Sequence, residues 1–182
     1  MNSKEHIMEV GFELFQQKGY DNVSIEDICN TLQITPATLY KYIRTKEEIL
    51  QYHFIQIQNQ LETVIQKQEA NLDLLWTIFL VPIQKNMEIQ PNLYSKYIIL
   101  HFHGQPLSSY YAQTIQQAAI QSIENEQKAG TIQNLAPAKT LYYACRNISG
   151  NYAIQWCIQK GNFDLIQTIQ QALQTILMIK ES

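Results

Sequence analysis

Apolar residues recur three and four positions apart along most of the chain, and no stretch alternates one-in-two for long enough to make a strand. The periodicity predicts an all-α protein. The first helix runs from about Ser3 to Lys18, with Ile7, Val10, Leu14 and Phe15 on one face and Gly19 as its stop. Ser24 with Asp27 three residues on is an N-cap with its reciprocal acid, and Ile25, Ile28, Cys29 and Leu32 then form one apolar stripe. Gln33-Ile34 breaks the rhythm. Thr35-Pro36 restarts a helix, since proline at the first helical position loses only an N–H that had no partner. In this brief helix Leu39 and Ile43 face inward, while Thr35, Ala37, Thr38, Tyr40, Lys41 and Tyr42 face out. Thr45 and Glu48 form a second capping box, opening a helix that continues through Ile49, His53, Ile57, Leu61, Val64 and Ile65 with no break before about Ala70. At 1.5 Å per residue this rod is about 30 Å long.

Beyond Asn71 the pattern is heavier and more aromatic. A helix from Leu72 to about Glu88 contains Pro82, expected to kink it. Pro91 opens a helix through Tyr94, Tyr97, Ile98 and His101, ended by Gly104 and Pro106. Ser108 or Ser109 caps a helix stopped by Gly130. Pro137 starts another that ends at Gly161, and the last runs from Phe163 to about Lys180. The expectation is nine helices: a helix-turn-helix domain over 1–46 with its motif at 24–43, a connecting helix over 47–70, and a carboxy-terminal domain over 71–182.

Two short helices joined by a tight turn, the second displaying hydroxyls, a small residue and a lysine, make a helix-turn-helix. The run from Gly19 to Ile28, GYDNVSIEDI, and that from Ile34 to Lys46, ITPATLYKYIRTK, resemble the DNA-binding domain of the TetR family of bacterial transcriptional regulators. Departures from the family pattern are Cys29 for alanine, Thr35 for serine, Ala37 for glycine, Tyr42 for histidine and Ile43 for phenylalanine. The resemblance covers about the first fifty residues; beyond them only the helical layout and length agree.

It implies that Thr35, Pro36, Ala37 and Thr38 face base edges in a major groove, where threonine and alanine touch thymine methyls and threonine also hydrogen-bonds. Ser24, Tyr40, Tyr42 and Lys46 are expected on phosphates, with Lys41 serving either purpose. Lys46 in the first turn of a helix opposes the helix dipole, a placement explicable if a phosphate arrives there. The partners implied are a double-stranded, palindromic DNA operator, a second copy of the chain, and a small apolar or aromatic effector. The direction of control is expected to be repression, with release by the effector.

The last two helices are the expected dimer seam. Gly150 lies among small residues that permit close approach, and Ile166, Ile169, Leu173, Ile176 and Leu177 supply apolar area. Eleven tyrosines, several clustered centrally, suggest an aromatic cavity for the effector. Its candidate lining is Trp76, Phe79, Tyr97, His101, Tyr111, Tyr142 and Tyr152, with Arg146 as a polar handle.

Charge and composition narrow this further. The 182 residues carry a formal net charge of −3, which argues against a general polyanion coat. Between 24 and 46, though, Lys41, Arg44 and Lys46 outnumber Glu26 and Asp27, and all three bases lie at or after the second helix. Three widely spaced cysteines in apolar patterns read as reduced core residues of a cytoplasmic protein. The amino terminus lacks a signal-peptide core and no apolar run reaches membrane-spanning length, so no membrane partner is expected. The glutamines alternate with isoleucine and alanine at helical spacing and read as solvated helix faces. His101 and His103 point about 200° apart on a helix and cannot chelate together, so no metal site and no cofactor are expected. Motifs for nucleophilic, metal or nucleotide chemistry do not occur, and the chain is not expected to be an enzyme. The alternative is a helical small-molecule-binding protein or enzyme whose amino-terminal domain does not read DNA.

Overall fold

A computed structural model describes residues 3–102 and 113–179, without the side chains of His101 and Phe102. Among the described residues there are nine α-helices and no strand: α1 (Lys4–Lys18), α2 (Ile25–Leu32), α3 (Pro36–Leu39), α4 (Lys46–Ile65), α5 (Leu72–Met87), α6 (Pro91–Phe102), α7 (Gln113–Ala129), α8 (Ala138–Ile158) and α9 (Leu165–Leu177). A 3-10 turn, Tyr20–Asn22, joins α1 to α2.

The helix ends follow local chemistry. Ser3 caps α1, its side chain accepting from the His6 N–H, and Gly19 ends it at φ 83°, a backbone glycine adopts without strain. Pro137 precedes α8, and Asp164 caps α9, which begins at Leu165, two residues inside the predicted start. The Thr45–Glu48 capping box is not the one that forms: the Glu48 carboxylate accepts from the Arg44 N–H at 3.2 Å. α4 ends at Ile65 instead of near Ala70, because the 66–70 stretch, QKQEA, offers no bulky apolar anchor. α5 runs on through a buried Pro82. The predicted stops at Gly104 and Pro106 and the caps at Ser108 and Ser109 lie outside the described residues.

The chain forms two compact units, one of residues 1–57 and 89–108 and the other of 58–88 and 109–182. The division differs from the boundaries read at 46 and 70: the first turns of α4 and the whole of α6 belong with the amino-terminal unit.

In that unit α1 lies across α2 and the start of α4, burying Ile7, Phe15, Ile28, Leu39, Ile43, Ile49 and Leu50 to within 1% of complete. Gly11 allows α1 to approach α4, since a Cβ there would sit 2.8 Å from the Ile49 Cδ1. Phe12 stacks on His53 with centroids 4.1 Å apart. Ile89, just before α6, and Leu93 within it are buried; the Tyr97 ring stacks on Phe54 at 3.3 Å, and the Lys96 ammonium pairs with Asp21 at 2.8 Å.

The second unit packs α5, α7, α8 and α9 around Leu74, Leu75, Ile115, Ile123, Tyr142, Cys145, Ile169 and Leu173, all nearly or fully buried. Side-chain amides pin its turns. Asn134 donates to the Ile176 carbonyl at 2.7 Å, Gln127 to the carbonyls of Asn134 and Ala136, and Asn125 to that of Ala70.

Candidate nucleic-acid interface

The geometry of the motif starts with its two caps. At the head of α2 the Ser24 N–H donates to the Asp27 carboxylate at 2.8 Å and the Asp27 N–H donates to the Ser24 hydroxyl at 3.1 Å. The hydroxyl also bonds the same carboxylate at 2.6 Å. The side-chain and then the backbone hydrogen bond from Ser24 hold the Asp27 carboxyl below its usual range. The turn passes through Gln33 in the left-handed region, φ 55°, and closes with the Ile34 N–H on the Cys29 carbonyl.

Thr35 then caps α3, accepting from the Thr38 N–H at 3.2 Å while the two hydroxyls bond each other at 3.0 Å. One turn later the helix tightens, with Lys41 and Tyr42 N–H groups donating three residues back to Thr38 and Leu39. The anchors are Leu39 and Ile43, 0% and 1% exposed. Opposite them Thr35, Pro36, Ala37, Tyr40 and Lys41 are exposed, Thr38 and Tyr42 half-exposed, and Tyr40 shows 53% of its surface. This is a short helix presenting small groups and hydroxyls outward, flanked by a phenol and a base. Arg44, counted in the sequence among the bases after the second helix but given no contact of its own, is also exposed beside it.

A model of the bacterial regulatory proteins of the tetR family matches residues 7–52, the stretch holding α1, the helix-turn-helix and the first turns of α4. That stretch is similar to the DNA-binding domain of the tetR family. The repressor NemR of Escherichia coli (strain K12) is 24% identical over 74 residues, 38% of this chain and 37% of NemR. The biofilm-operon negative regulator IcaR of Staphylococcus epidermidis is 39% identical over 46 residues, 25% of each chain. The matched region thus spans well under half the length of these relatives. Likeness of fold extends further: the tetR-family repressor FadR of Thermus thermophilus, solved with lauroyl-CoA, superposes with a TM-score of 0.70 at 15% identity, over 99% of this chain and 97% of FadR.

Three expectations carried from the sequence look different in the structure. Lys46 does not project from α4: its ammonium donates to the carbonyls of Tyr20 and Val23 at 2.7 and 2.9 Å. Beside it the Tyr20 hydroxyl donates to Glu47 at 2.8 Å, and burial, then this bond, push the phenol above its ordinary range. The pairing of Tyr20 with Glu47 was not foreseen in the sequence, where residues 27 apart carry no sign of meeting.

The aromatic candidates for a cavity are not all gathered. Trp76, Phe79, Tyr142, Arg146 and Tyr152 lie in the carboxy-terminal unit, whereas Tyr97 is stacked on Phe54 in the other. Tyr142 and Phe79 are 1% and 7% exposed, with rings 6.1 Å apart, and act as core. Trp76, Tyr152 and Arg146 keep some exposure, and burial lowers the Arg146 guanidinium from its usual value. The His101 side chain and Tyr111 lie outside the described residues.

Within the seam predicted on α8 and α9, Ile169, Leu173 and Leu177 are 0% exposed inside a single chain. Their i, i+4, i+8 spacing forms the inner stripe of α9 and leaves them nothing to offer a second copy. Ile166 and Ile176 keep partial exposure, and Gly150 is exposed with open space above its Cα.

Among the described residues no group of three or more histidines, cysteines, aspartates or glutamates is placed to hold a metal ion; His103 is not among them. No described helix is long and apolar enough to cross a membrane. The cysteines are free, Cys29 and Cys145 buried and Cys157 half-buried, and burial pushes the Cys145 thiol up to about 12.

Proposed function

We propose that this chain is a ligand-responsive transcriptional regulator, a repressor, that binds a palindromic operator as a homodimer. One observation carries it: Thr35, Pro36, Ala37 and Tyr40 are exposed together on a helix anchored by fully buried Leu39 and Ile43. Packing alone gives no reason to show that surface, and a major groove does. Thr35–Thr38 meet base edges, while Ser24, Tyr40, Tyr42, Lys41 and Arg44 hold the backbone.

The homodimer is supported by the outer face of α8, where Gly150, Ile154 and Ile158 recur at i, i+4 and i+8 and Ile158 is 74% exposed. Two copies are needed because one short helix makes too few base contacts for operator specificity. The small-molecule arm rests on likeness of fold to FadR, which was solved with lauroyl-CoA, a ligand with a long apolar part. In this chain the carboxy-terminal unit is the place for such a ligand, with Trp76, Tyr152 and Arg146 as its accessible groups. Release from DNA requires the ligand to favour the arrangement that does not bind DNA.

Selection of bound duplexes from a random pool tests this directly. An inverted repeat should emerge, and Thr38→Ala should relax preference at one base pair in each half-site. A pool that shows no enrichment at low salt rejects the regulator in favour of a helical small-molecule-binding protein.

A further inference from the structure

The first turn of α4 grips the segment before α2 with two consecutive side chains. The Lys46 ammonium donates to the Tyr20 carbonyl at 2.7 Å and to the Val23 carbonyl at 2.9 Å. It also lies 4.1 Å from the centroid of the Tyr20 ring and 5.9 Å from that of Phe15. Glu47 takes the other end of the same tyrosine, accepting from its hydroxyl at 2.8 Å. Val23 is the residue before Ser24, the cap of α2. A charge-assisted grip on carbonyls under an aromatic face is strong, and two of the three ammonium donors are engaged in it. One donor is left over, and a swing of the side chain out to the phosphate backbone would cost both hydrogen bonds and the ring contact.

We infer that Lys46 is a positioning residue for DNA reading: an internal clamp that ties the start of α2 to the start of α4. The clamp fixes the angle at which α3, lying between them in the chain, is presented. Neutralisation of the phosphate backbone falls to exposed bases near α3, Lys41 and Arg44. The inference rests on the DNA-binding function proposed above, and its test has one arm that needs no DNA.

The test compares Lys46→Met, Lys46→Arg and Lys41→Met in the full chain, by duplex affinity across a salt series and by amide hydrogen exchange over residues 20–28. Lys46→Met should weaken binding by the folded protein about tenfold or more without changing the slope of log K against log salt, and exchange over 20–28 should quicken about tenfold. Lys46→Arg, which keeps the charge but not the compact ammonium, should restore neither. Lys41→Met should lower the slope by about one. In the unaltered chain, nitrogen-15 NMR of the lysine ammonium groups should show a protected Lys46 signal that survives addition of duplex. A slope lowered by about one in Lys46→Met and restored by arginine, with unchanged exchange, would make Lys46 a phosphate donor and overturn the clamp. Unchanged affinity in Lys46→Met would also overturn it. Should the parent chain bind no duplex, the regulator function falls, and exchange and NMR alone decide whether the clamp exists.

Discussion

Gly11→Ala measures how tightly α1 is held against α4. In an exposed helix this change is stabilising by about 1 kcal/mol, because glycine forgoes more chain entropy than alanine. Here the added methyl would lie 2.8 Å from the Ile49 Cδ1 and 3.0 Å from its Cγ2. Ile49 is 0% exposed, so it has no free space to turn into. Overpacking of this kind costs about 1–3 kcal/mol. The cost cancels or outweighs the helical gain, and the variant should be less stable by up to about 2 kcal/mol. Ile49→Val removes the methyl at the closest approach and by itself costs about 0.5–1.5 kcal/mol. In that background Gly11→Ala should be close to neutral, giving a favourable coupling of about 1 kcal/mol in a double-mutant cycle. Urea unfolding of the four proteins, followed by helical circular dichroism at constant m-value, supplies the cycle. If Gly11→Ala alone raises stability by the full helical increment, α1 and α4 are not in the close contact described and the argument fails.

Three further outcomes are expected. Leu173→Ala should cost about 2–5 kcal/mol by opening a cavity in the carboxy-terminal unit, whereas Ile158→Glu should leave the fold of the chain intact and abolish the proposed dimer; sedimentation and melting curves separate the two. Asp27→Asn should lose a contribution that is fully present above the ordinary aspartate range near pH 4 and fades as pH falls through the depressed folded value. The gap between variant and parent in urea midpoint should therefore narrow on acidification, and a gap that widens refutes the capping account. Cys145, buried with its thiol pushed up to about 12, should resist iodoacetamide at pH 8 until the chain unfolds, as peptide mass mapping will show.

Much of the helix-turn-helix was legible because its signals are local. Ser24 with Asp27, Pro36 after Thr35 and Gly19 at the end of α1 each act within one helical turn, and the structure has all three in the expected roles. What failed depended on distance along the chain. Tyr94, Tyr97 and Ile98 announce a helix after Pro91, but periodicity does not say which unit it joins, and α6 falls with the amino-terminal one. The apolar positions of α9 likewise read equally well as core or seam; burial gives Ile169, Leu173 and Leu177 to the core. Lys46 was read as a cation opposing a helix dipole, because nothing near it in the sequence reveals carbonyls at residues 20 and 23.

The central claim is that two copies of α3 engage one duplex together. Sedimentation equilibrium of the purified chain with a duplex enriched by selection, at about 50 mM salt where backbone contacts are strong, counts the copies. The account predicts two chains on each duplex, a symmetric footprint of paired half-sites about 34–36 Å apart or a multiple of that spacing, and complexes that weaken steeply with salt. A single chain per duplex, or a chain that stays free at this ionic strength, contradicts it.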